Sequence, residues 1–166
     1  MPKLALFFLG LLSFNVCALE GSETQWGITN DVDEFTDKSV VSGLVLSEAG
    51  PKGGFILLTC YASGFEGKVS TGEYVGDKRI PDNFKFRVDD REPVEMRMKP
   101  TNERYVYFNN FNSPFLKALE NGKSTILVQI TNYDYDTSRA RFTLNGSTAA
   151  VRAVKEACKD RGRYAN

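Results

Sequence analysis

Two cysteines set about 100 residues apart constrain this chain more than any other feature of it. Cys60 sits in the run 55–63, Phe-Ile-Leu-Leu-Thr-Cys-Tyr-Ala-Ser, which is apolar on both faces and reads as the central strand of a two-layer structure. Counting by twos places Cys60 on an inward face with Ile56, Leu58 and Ala62. Cys158 shares a helical stripe with Ala150, Val151, Val154 and Ala157, expected to be the core-facing side of a terminal helix. A strand and a helix packed face to face can bring two Cβ atoms to the ~3.8 Å that a disulfide requires. Closing such a loop is worth ~4.7 kcal/mol in the chain-entropy model, although measured bonds often deliver less. Neither cysteine belongs to a C-x-x-C pair, so a redox or metal role has no support.

The compartment follows from the third cysteine and its surroundings. Residues 1–18 read as a cleavable signal peptide: Lys3 is the basic start, 4–14 is almost wholly apolar, and Val16-Cys17-Ala18 offers a cleavage site. The apolar run is far short of the ~20 residues of a spanning helix. Acylation at Cys17 is the weaker reading, because Val16 is not the small residue that a lipoprotein signal favours. Cleavage removes Cys17 and leaves an even number of thiols in an exported chain, the usual setting for one disulfide. The protein is therefore expected in the periplasm or outside the cell, with no integral membrane segment in the mature chain. Its 21 basic and 21 acidic residues balance, and losing Lys3 leaves the mature chain one charge negative. That balance gives no general pull toward nucleic acid.

Between the leader and the tail the chain reads as one β-rich domain, 19–158, followed by a flexible charged tail, 159–166. Trp26 is expected to open the first strand and anchor it in the core. The acidic stretch 30–37 lacks the ligand spacing and central glycine of an EF-hand and reads as a solvated turn. Residues 38–48 read as a strand with Val40, Ser42, Leu44 and Leu46 on one face, and 50–54 as a turn by composition. Gly64, Gly67, Gly72 and Gly76 match no nucleotide-binding fingerprint and read as turns flanking a strand around 68–75.

The period-two signal is cleanest after Asn83. Phe84, Phe86 and Val88 alternate with Lys85, Arg87 and Asp89, and after a break at 90–93, Val94, Met96 and Met98 alternate with Glu95, Arg97 and Lys99. This predicts a hairpin with one buried and one charged face. Further strands are expected over 104–108, 124–131 and 138–144. Two helices are expected, over 113–121, where Ser113 caps and Pro114 occupies the first helical position, and over 147–158. Many short strands with few helices point to a mainly β fold, an antiparallel β-sandwich or strongly curved sheet, with the C-terminal helix tied down by the disulfide.

Histidine is absent. That excludes Ser-His-Asp and Cys-His nucleophiles, histidine-ligated zinc and the commonest general base near neutral pH. A carboxylate pair could still act as acid and base, but no pair stands out among 21 acidic residues, so neither an enzyme nor a cofactor is expected. The candidate binding residues are Tyr133, Asp134, Tyr135 and Asp136, because tyrosine interleaved with aspartate suits contact with proteins or carbohydrates. The same residues also suit a hairpin turn whose tyrosines cover the edge of the core. The cations Arg152, Lys155, Lys159, Arg161 and Arg163 read as complementing the negative end of the last helix. Asn145-Gly-Ser147 satisfies a glycosylation sequon and equally fits a turn into a helix cap.

Several stretches together resemble the VasI family: the Trp-Gly start, the Asp-Lys-Ser-Val-Val strand, Leu-Leu-Thr-Cys, Phe-Arg-Val-Asp-Asp, and the closing Arg-Phe-Thr-Leu-Asn-Gly-Ser-Thr-Ala-Ala-Val-Arg-Ala-Val-Lys-Glu-Ala-Cys. The resemblance covers roughly 26–158 and omits the cysteine-containing segment that members of that family carry ahead of the tryptophan. It implies an exported accessory or adaptor domain associated with bacterial type VI secretion, without an established enzymatic activity, whose partner is a periplasmic or envelope protein. It carries over no site residues beyond Cys60 and Cys158. A small disulfide-stapled β-domain also suits a periplasmic inhibitor or immunity protein that binds a cell-wall hydrolase.

Overall fold

In a computed structural model, which describes residues 25–76, 83–101, 103–159 and 161, the alternating pattern resolves into two antiparallel sheets and two helices. The first sheet has six strands: β1 (Gly27–Asp33), β2 (Lys38–Ser47), β3 (Gly50–Tyr61), β4 (Gly64–Ser70), β7 (Lys99–Pro100) and β8 (Val106–Phe108), in the order β1-β2-β3-β4-β8-β7. The second has β5 (Phe84–Val88), β6 (Val94–Met96), β9 (Thr125–Thr131) and β10 (Thr137–Thr143), in the order β10-β9-β5-β6. The helices are α1 (Pro114–Asn121) and α2 (Ser147–Cys158). The fold is mainly β, as the pattern predicts. The leader, 1–18, and the end of the tail lie outside the described residues.

The register shows why the core forms. Val45, Ile56, Val69 and Val106 lie in one row across the first sheet, and Val41, Cys60 and Phe65 in another, all turned inward. The second sheet answers with Phe84, Phe86, Val88, Ile126, Val128, Ile130, Ala140 and Phe142. Burying such a side chain is worth about 1.5–3 kcal/mol, so these rows fix both registers: a slip of one residue would turn each row to water. Phe115 of α1 meets Phe84, Phe86 and Phe108 edge-on and joins the two layers. Trp26 is buried, and its indole N–H donates to the Thr143 carbonyl at 3.0 Å.

The helices are built as the sequence predicts. The Ser113 hydroxyl accepts from the Leu116 N–H at 3.1 Å, and Phe115, Leu116 and Leu119 are buried. The Ser147 and Thr148 hydroxyls at the start of α2 donate to the Leu119 and Glu120 carbonyls, satisfying acceptors that the end of α1 leaves open. Ser147 is therefore fully buried, and 145–147 is a turn into a helix. Cys60 and Cys158 form the expected disulfide, with Cα atoms 5.6 Å apart. Beyond it, the Arg161 guanidinium donates to the Ser39 carbonyl and, at 2.7 Å, to its hydroxyl. Ser39 lies past the last β2–β3 pair, Val41 with Cys60, so Arg161 serves a carbonyl where the ladder has run out. Lys155 is paired with Glu120 of α1 at 2.5 Å.

Four local expectations need correction. The stretch 30–37 is not all turn: β1 continues to Asp33, and the turn is 34–37. Polar residues are tolerated there because β1 is an edge strand. The turn at 50–54 is also shorter than composition suggests. β3 begins at Gly50, after Glu48-Ala49, and a register shift at Leu46/Ser47 absorbs the irregularity. The strand expected around 68–75 is β4, earlier in the chain, with Gly67 inside it. A Cβ at Gly67 would lie 2.3 Å from the Phe108 ring, so this glycine serves a close approach and not a turn. In β2, Val40, Ser42, Leu44 and Leu46 share one face as the alternation predicts; it is the outer one, and the inward face is Val41, Gly43 and Val45.

β1 and β2 run on together beyond the rest of their sheet. The pairs Asp31–Val40, Val32–Ser39 and Asp33–Lys38 extend past the last β2–β3 pair as a two-stranded arm. At its tip the Asp33 carboxylate accepts from the Phe35 N–H at 3.0 Å, the Thr36 N–H at 2.9 Å and the Thr36 hydroxyl at 2.9 Å. Asp37 closes the turn in the left-handed region, φ 52°. Phe35 is left 98% exposed.

Candidate functional site

The candidate residues 133–136 occupy the β9–β10 turn, and their conformation is set by Asn132. Its side-chain carbonyl accepts from the N–H groups of Asp134 and Asp136, each at 2.9 Å. The Asn132 N–H donates to the Asp136 carbonyl at 2.9 Å, and the Tyr135 N–H to the Asn132 carbonyl at 3.0 Å. Tyr135 takes a left-handed φ of 69°. An asparagine that bonds its own backbone two and four residues on holds a turn without help from neighbours.

The other wall comes from 71–76, the segment that leaves β4. The Tyr133 N–H donates to the Val75 carbonyl at 3.0 Å, and the Val75 N–H to the Glu103 carbonyl at 2.9 Å. Arg104 donates to the Gly72 carbonyl at 2.7 Å, while the hydroxyls of Thr71 and Ser138 bond at 2.5 Å. Gly76 has φ 76°, and a Cβ there would come within 2.6 Å of the Tyr133 ring. Only glycine combines that backbone with that contact.

Between the walls lies an open groove of about 280 Å³, lined by Glu73, Tyr74, Asn132, Tyr133, Asp134, Asp136, Thr137 and Ser138. The rings of Tyr74 and Tyr133 meet edge-on, centroids 5.9 Å apart and planes at 81°. Tyr133 is 40% exposed. A hydrogen bond to Asp134, and then that carboxylate's charge, holds the Tyr133 phenol above its usual range. Tyr133 is therefore a neutral donor at physiological pH, already oriented on an acceptor. Tyr135 lies outside the lining and is 62% exposed. The groove thus offers aromatic faces, carboxylates and amide or hydroxyl groups, which suit recognition by contact and hydrogen bonding.

Three of the four candidate binding residues, Tyr133, Asp134 and Asp136, thus line one groove. Glu73 and Tyr74 complete it from about 60 residues upstream, where the sequence predicts part of a strand over 68–75 and nothing that would bring them to the β9–β10 turn. Their only sequence signal is Tyr74 itself, an aromatic residue among turn formers.

A second concavity, about 330 Å³, lies on the outer face of the four-stranded sheet. Lys85 and Arg87 of β5 and Arg139 of β10 surround Pro93 and Leu127. Lys85 pairs with Glu95, and the Arg139 Nε donates to Gln129 at 2.8 Å. Arg87 is exposed and has no ion pair among the described residues.

No family model matches the sequence, and no curated protein matches it. Among solved structures the chain is similar to the crystal structure of invasion associated protein B from Bartonella henselae. The two share 16% identity with a TM-score of 0.48, over 82% of this chain and 95% of that one.

Proposed function

We propose that this protein is an exported accessory or adaptor domain that works by protein contact in the periplasm or outside the cell, and that the groove between Tyr74 and Tyr133 is its contact surface. The observation that carries this reading is preorganisation. Asn132 and the Tyr133–Val75 bond fix the turn before any partner arrives. Binding there costs little ordering entropy, and tyrosine gives contact area at low rotamer cost. The disulfide suits an oxidising compartment, and no described helix is long and apolar enough to cross a membrane. The absence of histidine favours binding over catalysis. The partner is a periplasmic or envelope protein, and the likeness to the VasI family makes a type VI secretion component the first to test.

The experiment is photo-crosslinking in cells. A photoreactive residue at Tyr135 should yield a discrete adduct, whereas one at Lys117 on α1 should not. Tyr133→Ala with Asp136→Lys should abolish the adduct while leaving the fold intact. Equal adducts from both positions, or none from Tyr135, would overturn the assignment. Recovery of a cell-wall hydrolase as the adduct would assign the inhibitor function in place of the adaptor one.

A further inference from the structure

We propose that the protein associates with itself head to tail, the acidic tip of the β1–β2 arm in one copy placing Phe35 in the basic groove on the four-stranded sheet of the next. Phe35 is the starting point. An aromatic side chain 98% exposed at the end of a two-stranded arm gains nothing within its own molecule. The turn beneath it is nevertheless well built, with three hydrogen bonds to the Asp33 carboxylate. A chain that only needed to reverse direction could do so without displaying a phenyl ring.

The charges around the ring describe its receptor. Asp33, Glu34 and Asp37 flank Phe35, with Lys38 the nearest cation in sequence. A complementary surface has an apolar floor and a cationic rim, which is what Pro93, Leu127, Lys85, Arg87 and Arg139 provide. Its volume, about 330 Å³, accommodates one phenyl ring. Arg87, without an ion pair among the described residues, is available to a carboxylate from outside. The balance of 21 basic and 21 acidic residues hides a local separation: carboxylates gather at the tip of the arm and cations around the groove on the four-stranded sheet, where a second copy can match them.

The contact joins two different surfaces, so every pair of copies keeps one tip and one groove unused. Such a contact closes into a ring or grows into a chain. It also makes a specific prediction about mixtures, because a copy lacking only its tip still has a groove.

Sedimentation velocity on the oxidised mature protein tests this. The wild type should associate with rising concentration, and salt should weaken the association because its rim is ionic. Phe35→Ala should weaken it about tenfold or more, as should Arg87→Glu with Arg139→Glu. All three positions face solvent, and unchanged thermal unfolding will show that the variants fold. Mixing the two defective variants should restore a one-to-one dimer that grows no further. A wild type that stays monomeric at every concentration, variants that associate like the wild type, or a mixture that stays monomeric would each overturn the proposal.

Discussion

The turn at the tip of the β1–β2 arm and the turn joining β9 to β10 use the same local device in opposite settings. Each is closed by one side-chain oxygen that accepts from backbone N–H groups two and three or four residues on: Asp33 in the first, Asn132 in the second. Each contains a non-glycine residue at positive φ, Asp37 and Tyr135, and each displays aromatic rings beside carboxylates. The first stands clear of the core on two strands. The second is bonded to Val75 and packed against Gly76. A short motif thus fixes the shape of a turn, and the surroundings decide whether disturbing it unsettles the tip alone or the whole domain.

Reduction of the disulfide should separate the two turns most clearly. Cys60 pairs with Val41 at the root of the arm, and Arg161, just past Cys158, holds Ser39. Reduction, or Cys158→Ser, should lower stability by roughly 2–5 kcal/mol. Amide exchange should rise first in the last turn of α2 and around Ser39, and least at 131–137. Equal loss of protection at both turns would show that the staple acts on the domain as a whole. Thiol labelling of the native protein should find neither cysteine reactive until reductant is added.

Gly76→Ala should be the next largest effect and should fall on the anchored turn alone. A left-handed backbone costs a non-glycine residue about 1–2 kcal/mol, and displacing the Tyr133 ring adds an overpacking cost of about 1–3 kcal/mol. Urea unfolding should therefore show a loss of roughly 2–5 kcal/mol. The tip of the arm, by the same measurement residue by residue, should stay as it is.

Removing the two closing side chains gives the smallest effects. Asn132→Ala orphans two backbone donors in a turn that the domain depends on, and should cost about 1 kcal/mol in global stability. Asp33→Ala should leave global stability unchanged, because the arm can open by itself, while exchange at Phe35 and Thr36 increases. The two turns should also differ with pH. The Thr36 hydroxyl above all, then the Thr36 and Phe35 amides, hold the Asp33 carboxyl below its usual range. Its contribution is present above the unfolded carboxyl value of ~3.9 and fades as pH falls through the lowered folded value. Amide shifts at Phe35 and Thr36 should follow that protonation, whereas the two hydrogen bonds that close the β9–β10 turn, made to the uncharged Asn132 amide oxygen, should persist through it.

Where burial is one-sided or a cap is chemically explicit, the residues announce their own structure. The alternation of Phe84, Phe86 and Val88, the Ser113-Pro114 start of α1 and the stripe carrying Cys158 all belong to that class. The errors arise where tertiary context outweighs composition. Asn30 to Asp33 pair with β2 although they look like turn residues, because an edge strand need bury neither face. Gly67 lies within a strand because Phe108, forty-one residues later, needs the space. The groove was half legible for the same reason: Tyr133 to Asp136 are contiguous, whereas Glu73 and Tyr74 are held beside them by bonds from Val75, Arg104 and Thr71. No local pattern encodes that meeting.

The bond from the Trp26 indole to the Thr143 carbonyl spans 117 positions, and its consequence is one of timing. Trp26, just ahead of β1, cannot take its final seat until β10, close to the end of the chain, has formed. Contacts so distant in sequence are the ones that slow folding, because the intervening chain must be closed before they repay the closure. Trp26 is the chain's single tryptophan. Its emission therefore follows one of the latest events in assembly, a clock that nature placed where the two ends of the domain meet.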